Sequence, residues 1–227
     1  TLFITLFIKP TPDTTFSRSM CGIFYYETIG FGSGKRIPVS KLQTLQTNFA
    51  KISHRGPDNS RFVATANGQR CMGFHRLAIN GLAATGDQPF DIMGCELVCN
   101  GEIYNHRALI EKHGLTCVSG SDCEVIIHLY RLFGGDMRAT LKELDGVFSL
   151  VLIDRERNLV HVARDPFGVR SLYIGSSSDY ECDISIASEM KALQHCDHVE
   201  QFPGGCCMTL TNATNATAKF ASHLQPY

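Results

Sequence analysis

The chain has 227 residues, 44% of them hydrophobic and 19% charged, with a formal net charge of -1. That is an ordinary globular mix, long enough to bury about 70% of its unfolded surface. With so little net charge and no basic stripe, nucleic acid and anionic membrane are not expected partners.

In chain order, residues 1–8 are apolar or hydroxylic and precede Lys9-Pro10. The run is too short to span a bilayer. It lacks a basic segment ahead of it, and residues 17–20 make a poor signal-peptidase site. Residues 9–19 are rich in Thr, Ser and Pro and read as flexible. Residues 1–20 are therefore expected to be an extension, either upstream translated sequence or a propeptide, and the location is expected to be cytoplasmic.

From Cys21 onward the pattern is regular. Residues 23–27 read as a buried strand and 31–35 as a glycine-rich loop. Ser40 is expected to cap a helix running to about residue 52, with Leu42, Leu45 and Phe49 on one face. His54-Arg55-Gly56-Pro57-Asp58 reads as a turn by its Gly-Pro pair. Strands are expected over 61–66, 71–79 and 96–99, then a helix over 106–113. Ser121 or Asp122 should cap a second helix, with Val125, Ile126, Leu129 and Phe133 at helical spacing. Strands over 147–153, 158–163, 171–174 and 184–187 and a helix over 189–195 follow. Residues 209–217 read as a strand end and a tail. Most connections are too short for crossover helices, so the sheets should be mainly antiparallel, with helices on their outer faces. The class is α+β, and the expected domain spans 21–210, with 211–227 a tail or the start of a further domain.

Ten cysteines are spread along the chain without a CxxC pair, and the vicinal Cys206-Cys207 cannot form an easy bridge. No metal site is expected, and most of these cysteines read as small buried hydrophobes. Asn212 and Asn215 each open an Asn-Ala-Thr sequon. Without a secretory signal these are expected to be chance matches.

Chemistry is most legible at Met20-Cys21-Gly22-Ile23-Phe24. If Cys21 becomes the first residue, it carries a thiol and a free α-amine a few bonds apart. The α-amine has an ordinary pKa near ~8, so much of it is neutral at physiological pH. It can then act as base for the thiol, directly or through a water. While Met20 is attached the same nitrogen is an amide and cannot. The alternative is a structural cysteine at a strand start. Three other positions are equally two-sided on residues alone. Asn100-Gly101 has the form of a hairpin turn, Asp122 that of a helix N-cap, and Arg76 that of a surface ion-pair partner.

The motifs MCGIF, HRGPD, FHRLAI, QPF, NGEIYNH, GSDCEVIIHLY, LDGVFSLVLID, ARDPFGVRSLY and ASEMKAL occur in that order. The stretch from 21 to 205 resembles the glutaminase domain of glutamine-dependent asparagine synthetases. Those domains are class II glutamine amidotransferases, within the N-terminal-nucleophile hydrolases. ARDPFG also occurs in phosphoribosyl-pyrophosphate amidotransferases, whereas NGEIYNH, SDCEV and SEMKAL point to the asparagine synthetase branch. The resemblance implies a four-layer αββα sandwich. It implies that Cys21 attacks the side-chain amide of glutamine and forms a thioester, with Asn100 and the Gly101 N–H as oxyanion donors. Arg76 is implied to bind the substrate carboxylate, and Glu102 and Asp122 its ammonium. Main-chain groups of Leu77, Ile79 and Asn80 are implied to line the pocket, although an apolar residue is commoner at position 80. Arg55 and Gly56 are implied to support the loop near the nucleophile, with His54 and Asp58 behind them. His75 and His128 are expected to be structural, since the mechanism has no vacancy for a histidine.

A Ser-Gly-Gly-x-Asp-Ser pyrophosphate loop, which the synthetase half of such enzymes carries, does not occur in the 227 residues. The chain alone is therefore expected to give glutamate and ammonia but not asparagine. An incomplete gene model is the favoured explanation over a stand-alone subunit. The expected partners are glutamine and an ammonia-accepting synthetase domain in cis or in trans, and a homodimer is compatible with the sequence. No cofactor is expected in this domain, ATP and magnesium belonging to the absent half. Two alternatives stay open. One is a glutaminase feeding a sugar phosphate or phosphoribosyl acceptor, and the other a non-catalytic interaction domain in which Cys21 is blocked.

Overall fold

The structure, a computed structural model, describes residues 20–28, 36–65, 67–79, 83–177, 183–211 and 224–227. The expected extension over 1–19, the loop at 31–35, Asn80 and the two sequons lie outside the described residues. The elements in chain order are β1 (Gly22–Glu27), α1 (Val39–Ala50), β2 (Asn59–Ala64), β3 (Arg70–Arg76), β4 (Phe90–Ile92) and β5 (Cys95–Ile103). Then come α2 (His106–His113), α3 (Val125–Leu132), α4 (Met137–Glu143), β6 (Gly146–Asp154) and β7 (Leu159–Arg164). The last are β8 (Tyr173–Ser176), β9 (Ile184–Ala187), β10 (His198–Gln201), β11 (Cys206–Thr211) and β12 (Leu224–Pro226). They group into two units, one from residues 20–77 and 171–202, the other from 78–170, 203–211 and 224–227.

The first unit holds a six-stranded sheet in the order β10-β8-β9-β1-β3-β2. Its strand pairs are antiparallel. β1 and β3 are buried at every position. That is why β1 reads as a continuous apolar run rather than an alternating one. Phe24 and Tyr26 pack with Leu45, Phe49 and Ile52 of the α1 segment. Tyr25 donates to Glu27 at 2.6 Å, and Arg70 Nε donates to the other Glu27 oxygen at 2.7 Å. This buried carboxylate is thus paired and hydrogen-bonded rather than stranded. Ser40 does not cap α1. The helix starts one residue earlier, after Pro38, and Ser40 lies inside it, its carbonyl accepting from the Thr44 hydroxyl. The helix expected over 189–195 is only a 3-10 turn, Met190–Leu193. The chain must leave it at once, because the Asp197 N–H already pairs with Ser176 and β10 with β8.

The second unit holds a sheet in the order β12-β11-β7-β6-β5-β4, again antiparallel. Its core joins Leu97, Cys99, Leu150 and Leu152 to Ile126, Leu129 and Tyr130 of α3 and Met137 and Leu141 of α4. β5 is longer than its apolar core suggests. Asn100-Gly101 is no hairpin turn but continues the strand, with Asn100 opposite Ser149 and Gly101 opposite Phe148. Ser121, not Asp122, caps the 3-10 turn that leads into α3, accepting from the Cys123 N–H. α4 was legible but unread: Gly134-Gly135 ends α3's loop and the Asp136 carboxylate accepts the Ala139 N–H at 3.0 Å. Residues 224–227, read as tail, contribute β12, and Tyr227 donates to the Arg164 carbonyl at 2.8 Å. The α+β class with antiparallel sheets is what the chain adopts. Among the described residues, no helix is long and apolar enough to cross a membrane.

Candidate active site

Cys21 stands immediately before β1 and is half-buried. Its thiol lies on the main chain of Leu77, 3.3 Å from the N–H and 3.5 Å from the carbonyl oxygen. Arg55 Nε donates to the Cys21 carbonyl at 2.9 Å. The aliphatic stem of Arg55 passes over Gly22, where an added Cβ would already meet Arg55 carbons at 3.5 Å. Gly56 explains why HRGPD needs a glycine. A Cβ there would fall 2.2–2.4 Å from the main chain of His75 and Arg76, so only a residue without one lets the loop lie against β3. Asp58 N–H donates to the Arg76 carbonyl. Arg76 is buried at the last position of β3, opposite Asn59, and Ile79 is exposed. Cys21, Arg55 and Leu77 thus converge, with Arg76 next in chain to Leu77.

His75 serves structure, as expected. It stacks on Phe49 at 3.8 Å, and burial pushes its pKa down to about 4. Its Nε2 meets the Phe49 carbonyl and so carries the proton. Nδ1 then accepts from Ser60.

In the second unit the candidate residues lie along one strand. Main-chain groups of alternate residues point to the same side of a strand. On β5, the Cys99 N–H and carbonyl are taken by the two ends of the Gln88 carboxamide, at 2.6 and 3.3 Å. Four residues on, the Ile103 N–H donates to Asp122 at 2.6 Å. Gly101 sits between them. Its partner Phe148 gives both main-chain groups to Asp165 instead, so the Gly101 N–H is directed off the same edge as those of Cys99 and Ile103. A Cβ at Gly101 would lie 2.4 Å from the Val147 carbonyl oxygen. Asn100 is buried, and its Nδ2 has no hydrogen-bond partner among the described residues. A buried orphan donor of that kind costs about 1–3 kcal/mol, an expense expected where a ligand supplies the acceptor. Glu102 is one-third exposed and pairs with Arg170 at 2.9 Å, so Arg170 already engages one of its oxygens. Asp122 is buried, with Oδ2 spent on Ile103.

Sequence reasoning missed three side chains that fix this edge. Gln88 of QPF imitates a neighbouring strand at Cys99. Asp165 of ARDPFG is fully buried, and its carboxylate accepts the N–H groups of Phe148, Phe167, Val169 and Arg170 at 3.0–3.3 Å. Arg170, held by that loop, reaches Glu102. A carboxylate before Pro-x-Gly was the available signal for the second of these.

Cys117, Glu124 and His128 bring possible ligand atoms within 4.8 Å of one another. Both Glu124 oxygens already accept from Val118, and they also take Ser119 and His128. Burial pushes the Cys117 thiol up to about 11, against the thiolate a metal would want. The cluster locks the 118–121 loop, and His128 is structural. Among the described residues no cysteine is joined in a disulfide.

A family model described as "Glutamine amidotransferase domain" matches residues 20–220. The chain is 41% identical over 193 residues to an asparagine synthetase [glutamine-hydrolyzing] of Arabidopsis thaliana, covering 82% of this chain and 30% of that protein. It is 38% identical to a probable asparagine synthetase of Acanthamoeba polyphaga mimivirus, over 80% of this chain and 32% of the relative. The chain spans about a third of the length of these curated relatives. Among solved structures, the glutamine phosphoribosylpyrophosphate amidotransferase of B. subtilis superposes with a TM-score of 0.68 at 19% identity. It covers 91% of this chain and 48% of the other, which establishes a shared fold.

Proposed function

Because the chain belongs to the glutamine amidotransferase domain family, we propose that it hydrolyses the side-chain amide of glutamine, with Cys21 as nucleophile. The observation that carries this is the setting of Cys21: directly ahead of a buried strand, thiol on the Leu77 main chain, carbonyl held by Arg55. With Cys21 as first residue, its α-amine takes the thiol proton as sulfur attacks the amide carbon. The C–N bond then breaks, the proton passes to the leaving nitrogen, and ammonia departs. Water attacks the thioester, glutamate leaves, and the thiol is restored.

Asn100 and Gly101 are assigned the oxyanion. The unpartnered Asn100 Nδ2 and the edge-directed Gly101 N–H support that role. Losing one such donor typically costs ~2.7–4 kcal/mol of barrier. Arg76 is assigned the substrate carboxylate, since guanidinium binds it through two parallel hydrogen bonds. Asp122 and Glu102 are assigned its ammonium, and the main chain of Leu77, Ile79 and Asn80 the pocket wall. Ammonia would pass to an ATP-dependent synthetase domain, in cis or in trans, that makes asparagine from aspartate. The similarity to asparagine synthetases supports that acceptor. No cofactor is needed on this side of the reaction, and a cytoplasmic location belongs to the same proposal.

The test is intact mass with N-terminal sequencing, alongside glutamate release from glutamine. Chain that begins at Cys21 is expected to release glutamate, and Cys21→Ala to be silent. Glutamate release undiminished in Cys21→Ala would overturn the proposal.

A further inference from the structure

The motif ASEMKAL has no role in the reaction as written, yet its second and third residues both act on the start of β1. Ser188 Oγ accepts the Ile23 N–H at 3.0 Å, and the Ser188 N–H donates to the Ile23 carbonyl at 3.1 Å. One residue later, Glu189 Oε1 receives Arg55 Nη1 at 3.0 Å, while Arg55 Nε holds the Cys21 carbonyl. The chain of contacts runs from carboxylate to guanidinium to the backbone of the nucleophile. Arg55 is buried, with Nη2 unpartnered among the described residues. Glu189 is therefore the carboxylate in contact with a buried cation that would otherwise relax toward water. Two further groups face the same carboxylate: the His54 Nε2 at 3.1 Å from Oε1, and the Lys191 Nζ at 3.0 Å from Oε2.

We infer that Glu189 is a positioning residue for Cys21, acting through Arg55. The inference rests on the glutaminase assignment above and deepens it. Cys21, the end residue of the working chain, has no preceding residue to hold it. Besides the Leu77 main chain against its thiol, its placement depends on the hydrogen bond to its own carbonyl and on β1 behind it. The Ser188-Glu189 pair supplies both, one through Ile23 and one through Arg55. A displacement of the nucleophile by an ångström can cost on the order of 10²-fold in rate without changing what binds substrate.

The experiment measures kcat and KM for glutamine on chain beginning at Cys21, with thermal unfolding of each variant. Glu189→Ala is expected to lower kcat by about 10–100-fold with KM within about twofold. Glu189→Gln, which keeps an acceptor for Arg55, should recover part of the loss. Lys191→Ala, which removes another partner of the same carboxylate, should leave kcat within about twofold. The double variant Glu189→Ala with Arg55→Ala should be no slower than Arg55→Ala alone, because the two act as one unit. If Glu189→Ala does not fold, Glu189→Gln compared with Lys191→Ala decides the matter. Unchanged kcat in both Glu189 variants, or full additivity with Arg55→Ala, overturns the inference while leaving the glutaminase assignment intact. A silent unmodified chain that begins at Cys21 would instead remove the assignment on which it rests.

Discussion

The two sheets fix their functional residues by different means. In the first, the main chain of the reactive residue is held by a charge network from distant segments, Arg55 of the HRGPD loop on the Cys21 carbonyl and Glu189, from after β9, on Arg55. In the second, the important groups lie on one continuous strand, and side chains are spent pinning its main chain. Gln88 holds Cys99 and Asp122 holds Ile103, while Asp165 holds Phe148 on the adjoining β6. A charge network gives a nucleophile that can be perturbed gradually. A pinned strand gives donors whose placement is all or none.

The largest effect should follow from breaking the pinned strand itself. Gly101→Ala forces a Cβ to within 2.4 Å of a carbonyl oxygen on β6. It should abolish measurable glutamate release and cost about 1–3 kcal/mol of stability in urea unfolding. Asn100→Ala should separate the two consequences. It removes a donor that has no partner among the described residues, so activity should fall by about 10²–10³-fold with stability unchanged or slightly improved. If Asn100→Ala destabilised the chain as Gly101→Ala does, Asn100 would be structural and the contrast between the sheets would fail.

Acid sensitivity also divides between the units. Burial holds His75 and His195 in the first unit, and His161 in the second, at about 4 against an ordinary 6.5. Between those values the unfolded chain binds more protons than the folded one. Stability should therefore fall as pH drops from about 6.5 toward 4. In the second unit, Tyr130 donates to Asp154 and so accepts from His161 Nε2–H, leaving Nδ1 to accept from Thr209. Protonation of His161 forfeits that last bond. Urea midpoints at pH 7, 5.5 and 4.5 measure the slope, and a flat profile would mean these histidines already titrate normally.

The contrast between the sheets also explains what was legible in the sequence. β1 and β9 could be placed from apolar runs, because burial at every position decides them. Cys21 stood out because a nucleophile and a base share one residue type at one junction. Asn100-Gly101 is two-sided on local chemistry, since its strand conformation comes from nine residues of pairing with β6 and not from propensity. Gln88 and Glu189 were invisible as functional supports, and Asp165 was marked only by the Pro-x-Gly that follows it. Each acts on a residue its own spacing does not reveal, and long-range hydrogen bonds leave no periodic trace. The 3-10 turn at Met190–Leu193 was overread as a helix for the converse reason, good helix formers overruled by the strand that must follow.

The central claim is that Cys21 carries the acyl group of glutamine. The most direct measurement is the mass of the Cys21-bearing peptide after acid quench of chain beginning at Cys21 mixed with glutamine. One glutamyl group is expected on that peptide, released by hydroxylamine and absent from Cys21→Ala. Steady glutamate production with Cys21 unmodified throughout, and with Cys21→Ala equally active, would contradict it.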